Sequence, residues 1–158
     1  MAIQLSVAIR ELLKKELWYR YTPCKRIAQP LKIKIMGKVL AVDDDPFFLE
    51  VLVSLLKTKG YDVVTATTVP GALSLITPDC GFRMVLTDFH LGDQFGSAVV
   101  DAVKEGLPGV VVLMMSGSVA VRFGSTLADG FLQKPFRSDE LFQAIDKAFA
   151  NKATLVEH

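Results

Sequence analysis

The sequence predicts an α/β fold, a (βα)5 chain forming a doubly wound, five-stranded parallel sheet. Three observations carry that expectation. Past residue 36, short apolar runs alternate with segments of helical periodicity, which is the pattern of successive βαβ units. Several of the apolar runs end abruptly in Asp, Ser or Lys, as strands do when their carboxyl ends open onto a rim. The composition is 51% hydrophobic and 22% charged over 158 residues, enough to fill a layered core and incompatible with a disordered or low-complexity chain.

The elements follow in order. Lys38-Val39-Leu40-Ala41-Val42 is a buried-strand run that stops at Asp43. Asp45 followed by Pro46 is a helix start, an Asx cap with proline at the first helical position. Phe48, Leu49, Leu52, Val53, Leu55 and Leu56 recur at helical spacing up to Lys59, and Gly60 stops the helix. Val63–Ala66 reads as a second strand. Thr68 and Pro70 open a second helix with Leu73 and Ile76 on its inner face. Met84–Asp88 is a third strand. Val99, Val100 and Val103 mark a helix terminated by Gly106-Leu107-Pro108-Gly109. Val110–Met115, the most apolar run, is expected to be the central strand, with a short helix over Val119–Leu127 after it. Gly130–Leu132 is the fifth strand. Ser138 is expected to cap a last helix carrying Leu141, Phe142, Ile145 and Phe149.

The net charge of +1 averages two unlike parts. Residues 1–35 hold eight basic and two acidic side chains, and the remainder holds ten basic and fifteen acidic ones, so a +6 arm precedes a −5 domain. Residues 36–150 are expected to form the domain and 151–158 a tail. In the arm, Leu5, Ile9, Leu12, Leu13 and Leu17 lie on one side of a helical projection, with Arg10, Lys14 and Lys15 elsewhere. Such a basic amphipathic segment suits an anionic membrane surface or a partner, but Glu16 within the apolar sector argues against membrane contact. The competing reading takes Met36-Gly37-Lys38 as the true start and the arm as a mis-called extension. Cys24 and Cys80 are too few and too far apart for a disulfide framework or a zinc site, and a reducing cytoplasm fits them. No uncharged run is long enough to span a bilayer.

The polar residues of interest gather at one place. Asp43, Asp44 and Asp45 follow strand one, Asp88 ends strand three, Ser116 and Gly117 follow strand four, and Lys134 and Pro135 follow strand five. Carboxylates this close repel each other, and a divalent cation offsets that repulsion. Magnesium takes hard oxygen ligands of this kind, together with water and phosphate oxygens. Asp45 is the helix cap and is discounted as a ligand.

The motifs "VLAVDDDP", "MVLTDFHLGDQFG", "VVLMMSG" and "GFLQKPF", in this order and each at a strand end, make the segment from Lys38 to Ala150 resemble the receiver domain of two-component response regulators, with its flavodoxin-like fold. The resemblance implies that Asp88 accepts a phosphoryl group from a histidine kinase or phosphotransfer protein. It implies magnesium held by Asp43, Asp44, Asp88 and the main-chain carbonyl of His90. It makes Ser116 the switch hydroxyl, Lys134 the cation that pairs with a phosphoryl oxygen, Phe131 the switch aromatic and Pro135 a cis-proline. It further implies a phospho-accepting signalling domain with self-phosphorylation and dephosphorylation chemistry, and not an enzyme.

With eight residues after Ala150, output is expected by contact with a protein partner, directly or as a carrier in a phosphorelay, and not by direct DNA binding. Three positions depart from the family pattern. Gly92 stands where proline is frequent, which should loosen the loop after Asp88, and Phe131 lacks the hydroxyl of the commoner tyrosine. The Ser116–Lys134 spacing is about one helical turn short, which bears on the fourth helix and the face used for output. His90 is expected to be an exposed loop residue, and Phe47, Phe48, Phe142 and Phe149 to be core or helix-face residues. Two alternatives stand beside the receiver reading. A haloacid dehalogenase-like phosphatase would use Asp43 of Asp43-x-Asp45 as nucleophile, but it leaves Asp88 without a role and lacks an acidic pair after Lys134. A degenerate receiver would bind partners without being phosphorylated.

Overall fold

The computed structural model describes residues 36–118 and 127–156. The basic arm of residues 1–35 and, save for its last residue, the helix expected over Val119–Leu127 lie outside the described residues. The domain begins with β1 (Gly37–Val42), α1 (Pro46–Thr58), β2 (Tyr61–Ala66), α2 (Val69–Leu75) and β3 (Phe82–Asp88). A short ribbon, β4 (His90–Leu91) and β5 (Gln94–Phe95), leads into α3 (Ser97–Gly106), β6 (Val111–Ser116), β7 (Gly130–Gln133) and α4 (Ser138–Val156). Five strands form one sheet in the order β2-β1-β3-β6-β7, and every pairing in it is parallel.

Strand alternation divides the core into two layers. Val39, Ala41, Met84, Leu86, Leu113 and Met115 pack with Leu49, Leu52 and Leu56 of α1 and Leu141 and Ile145 of α4. Leu40, Val42, Val85, Val112 and Met114 pack with Val69 and Ala72 of α2 and Val99, Val100 and Val103 of α3. Each interior strand is covered on both sides, which is why its sequence is apolar without alternation.

Local signals set the helix ends. The Asp45 carboxylate accepts from the Phe47 and Phe48 N–H groups at 2.9 and 3.2 Å, with Pro46 beginning α1. Beyond Lys59 the chain turns at Gly60, whose φ of +83° favours glycine. Thr68 caps α2 by accepting from the Gly71 N–H at 3.1 Å.

Three expectations are corrected. The central strand is β3, with β6 beside it; full apolarity reports cover on two faces, a property β1, β3 and β6 share. On α2 the buried residues are Val69 and Ala72, and Leu73 is exposed where an inward position was expected, while Ile76, at the end of the helix, packs partly buried on the core as expected. Ser138 is the first helical residue of α4 and not its cap. Arg137 holds the cap position, its carbonyl accepting from Leu141 and its N–H donating to the Glu140 carboxylate at 2.7 Å. That last helix runs on to Val156, past the apolar spacing that ends at Phe149.

At the end of the sheet away from the acidic rim, Asp129 joins four elements. Its Oδ2 accepts from Lys104 Nζ at 2.6 Å and from the Val112 N–H at 2.8 Å, and its Oδ1 faces Lys152 Nζ at 3.6 Å. Lys152 also donates to the Val110 carbonyl. Burial pushes the Lys152 ammonium below the ordinary lysine range, Lys104 adds to that shift, and Asp129 opposes it. Asp129→Ala should lower the unfolding free energy by about 2–4 kcal/mol, since it strands two half-buried cations and a strand N–H. Lys152→Met, which removes a cation together with its desolvation cost, should cost clearly less. Urea unfolding of the two variants checks the order; equal losses would refute it.

Candidate functional site

The same alternation that layers the core selects the site. Asp43 continues the Val39–Ala41 side of β1, Asp88 the Met84–Leu86 side of β3, and Lys134 the Leu132 side of β7. All three therefore emerge on the α1/α4 side of the sheet. Lys134 Nζ forms a salt bridge with Asp43 Oδ2 and reaches Asp88 Oδ1 at 3.0 Å. Ser116, of opposite parity, ends β6 beside them and is fully buried. Its Oγ accepts from the Ser118 N–H at 3.1 Å, and its carbonyl accepts from the Lys134 N–H at 2.8 Å.

Asp43 is 1% exposed. Burial pushes its carboxyl above the ordinary carboxylate range. The Lys134 hydrogen bond and charge and the Asp45 N–H pull it back, while the Asp88 charge adds to the rise. Asp88 Oδ2 accepts from the His90 N–H at 3.2 Å. Asp44, on the other parity, is exposed, and its Oδ2 accepts from the Gly92 N–H at 3.1 Å. The Lys134–Pro135 peptide is cis. Phe131 is half-buried against the α2/α3-side core.

Gly92 departs from what the sequence suggested. It sits at φ +65°, in the turn of the β4–β5 ribbon, and its N–H ties that turn to Asp44. Proline has no such donor, so the glycine anchors the segment where a loosening was expected. His90 is exposed as expected, but it belongs to the ribbon, paired with Phe95. Its ring lies 4.8 Å from that of Phe89 and 5.6 Å from that of Phe95. A signal was present in the sequence: Gly92-Asp93, a two-residue hairpin turn pair, stands between His90-Leu91 and Gln94-Phe95, each a polar residue beside an apolar one.

Gly96 is a residue that sequence reasoning passed over. Its backbone is helical, so the requirement is space. A Cβ there would stand 2.0 Å from the Asp88 carbonyl oxygen and 2.8 Å from Thr87 Oγ1. Thr87 Oγ1 in turn donates to the Asp88 carbonyl at 3.0 Å, so the start of α3 sits directly on the Asp88 main chain.

The side chains that the sequence nominates as metal ligands, Asp43, Asp44 and Asp88, offer hard carboxylate oxygens. Lys134 pairs with two of them, Asp43 and Asp88, and burial together with the Asp88 charge resists ionisation of Asp43. That set fits magnesium, which is content with one or two carboxylates and completes its shell with water. Among the described residues, no group of three or more His, Cys, Asp or Glu side chains is gathered closely enough to hold a metal ion by itself.

A family model described as the response regulator receiver domain matches residues 39–146. The chain belongs to that family. The transcriptional regulatory protein GlrR of Escherichia coli (strain K12) is 33% identical over 120 residues, which are 73% of this chain and 27% of that protein. The chain thus spans about a quarter of the length of that relative. Among solved structures, a receiver domain protein from Clostridium thermocellum superposes with a TM-score of 0.66 at 26% identity, covering 76% of this chain and 99% of that one. The regulator TrrA from Thermotoga maritima, solved with Mg(2+)-BeF, gives 0.65 at 25% identity, covering 72% and 99%. The sheet order and the flavodoxin-like receiver fold of this chain agree with these neighbours.

In this receiver, Gly96→Ala should push the α3 start away from Asp88 and cost roughly 1–3 kcal/mol, as overpacking does. Amide shifts of residues 88–96 should move with it. Unchanged stability together with unchanged shifts would show that the contact has slack.

Proposed function

We propose that this receiver accepts a phosphoryl group on Asp88 from the phosphohistidine of a histidine kinase or phosphotransfer protein, and signals by contact with a protein partner. The observation that supports it best is the Lys134 ammonium held between Asp43 and Asp88 at the carboxyl ends of three strands. An Asp88 carboxylate oxygen attacks phosphorus, the P–O bond forms as the donor's P–N bond breaks, and the departing imidazole takes up a proton. Water later attacks the same phosphorus, releasing inorganic phosphate and restoring the carboxylate. Bound magnesium, held by Asp43, Asp44, Asp88 and the His90 carbonyl, supplies the positive charge that offsets carboxylate and phosphoryl charge together. Positioning and charge neutralisation are the protein's main contributions to such a transfer.

Lys134 exchanges Asp88 Oδ1 for a phosphoryl oxygen, Ser116 turns its hydroxyl to another, and Phe131 follows inward. Asp43 suits the nucleophile's role poorly, since it is the more buried carboxylate, with Oδ1 on the Asp45 N–H and Oδ2 on Lys134. The phosphatase reading is therefore set aside. Residues 36–150 carry this chemistry. No helix among the described residues is long and apolar enough to cross a membrane.

With magnesium and acetyl phosphate, mass spectrometry should show one labile +80 Da adduct on Asp88, lost in Asp88→Asn and abolished by EDTA. An adduct on Asp43, or none on any residue while the protein is folded, would overturn the assignment. A polypeptide starting at Met36 should be labelled at the same rate as the full chain within about twofold; a large loss would give residues 1–35 a role in the chemistry.

A further inference from the structure

Lys134 has a third neighbour besides its two carboxylates. Its Nζ stands 4.0 Å from the centroid of the Phe48 ring. Phe48 lies in the first turn of α1, where its N–H is fixed by the Asp45 cap. The ring meets that of Phe136 edge to face, at 5.7 Å and 82°, and packs partly buried against the α1/α4-side core. Its orientation is thus held from below by the cap and from the side by a residue two positions beyond Lys134. The face left free is the one turned to the ammonium.

An aromatic face attracts a cation through its quadrupole, most strongly where water is excluded. Here the ring lies against the ammonium of a lysine whose side chain is 21% exposed. We propose that Phe48 is a positioning residue for Lys134, holding the ammonium over Asp43 and Asp88 so that it meets a phosphoryl oxygen without a search. This rests on the proposed transfer to Asp88, in which Lys134 pairs with the phosphoryl group. The ring suits the task because it is neutral. It does not compete with the phosphoryl oxygens for charge, and its hold persists while Lys134 exchanges partners. Leucine or methionine would fill the space and supply no quadrupole.

The test uses the full chain with Phe48→Leu, Phe48→Tyr and, as a second non-aromatic variant of similar bulk, Phe48→Met. In NMR spectra of the wild type, the Lys134 ε-methylene protons should be shifted upfield by the ring. Tyrosine should keep that shift, and leucine and methionine should abolish it. Labelling of Asp88 by acetyl phosphate with magnesium should slow about three- to tenfold in the two non-aromatic variants, the scale of one lost cation–ring contact, and stay within twofold in Phe48→Tyr. Added to Lys134→Ala, Phe48→Leu should slow labelling no further. An unshifted Lys134 signal in the wild type, equal slowing by tyrosine and leucine, or full slowing by Phe48→Leu without Lys134 would each overturn the proposal. A wild type that is never labelled would instead defeat the functional reading, while the methylene shift would still decide the Lys134–Phe48 contact.

Discussion

The structure is organised around one ammonium group between two carboxylates. Lys134 has to reach Asp88 across two strand spacings and Asp43 across three, from the far side of β6, and it does so because all three residues leave their strands with the same parity. A one-residue slip of β7 would send Lys134 to the opposite face of the sheet and leave both carboxylates without their cation. Burial already holds Asp43 above the ordinary carboxylate range with the lysine in place. The register of a four-residue edge strand is therefore tied to the electrostatics of the rim, and the rim to the register.

That edge strand is held at both ends by ion pairs of different character. At its start, Asp129 is fastened to Lys104, Lys152 and the Val112 N–H, binding β7 to α3, β6 and α4. At its end, Lys134 holds carboxylates that stand at the rim, where in the proposed transfer a phosphoryl oxygen takes the place of one of them. The first cluster is closed, with its carboxylate oxygens turned to protein donors on several sides. The second keeps the Asp88 oxygens facing one lysine and one backbone N–H. Phe131 lies between the two, so a change of partner at Lys134 acts on a strand whose other end stays pinned.

Much of this was legible in the sequence because its signals are local. An apolar run ending in a polar residue, an Asp-Pro helix start, and a glycine after a lysine-rich helix end can each be read within a few residues, and the strands, α1 and the strand-end placement of Asp43, Asp88, Ser116 and Lys134 follow from them. What escaped was non-local or spatial. The run Val110–Met115 tells that a strand is covered on both faces, but its rank in the sheet depends on crossovers that no single run encodes. Ser138 looked like a cap because the Glu140 side chain, which reaches back to the Arg137 N–H, is recognisable only once the helix start is known. The need for glycine at position 96 comes from the Asp88 carbonyl, a group eight residues away whose approach is set by tertiary packing.

Phe48 shows the same limit at its sharpest. By periodicity it belongs with Leu49 and Leu52 as one more apolar residue of α1, and half of that reading holds, since its ring packs on the core. Yet Leu49 and Leu52 are buried, while Phe48, one position earlier, sits where the helix start meets the strand-end rim. There an apolar side chain borders a charge. Inside a core, hydrophobic residues of similar volume exchange at little cost, but at such a border only an aromatic face attracts the cation. The position of a helix relative to the sheet thus decides whether a hydrophobic residue is merely buried or also holds an ion, and hydrophobic patterning has no means of recording that difference.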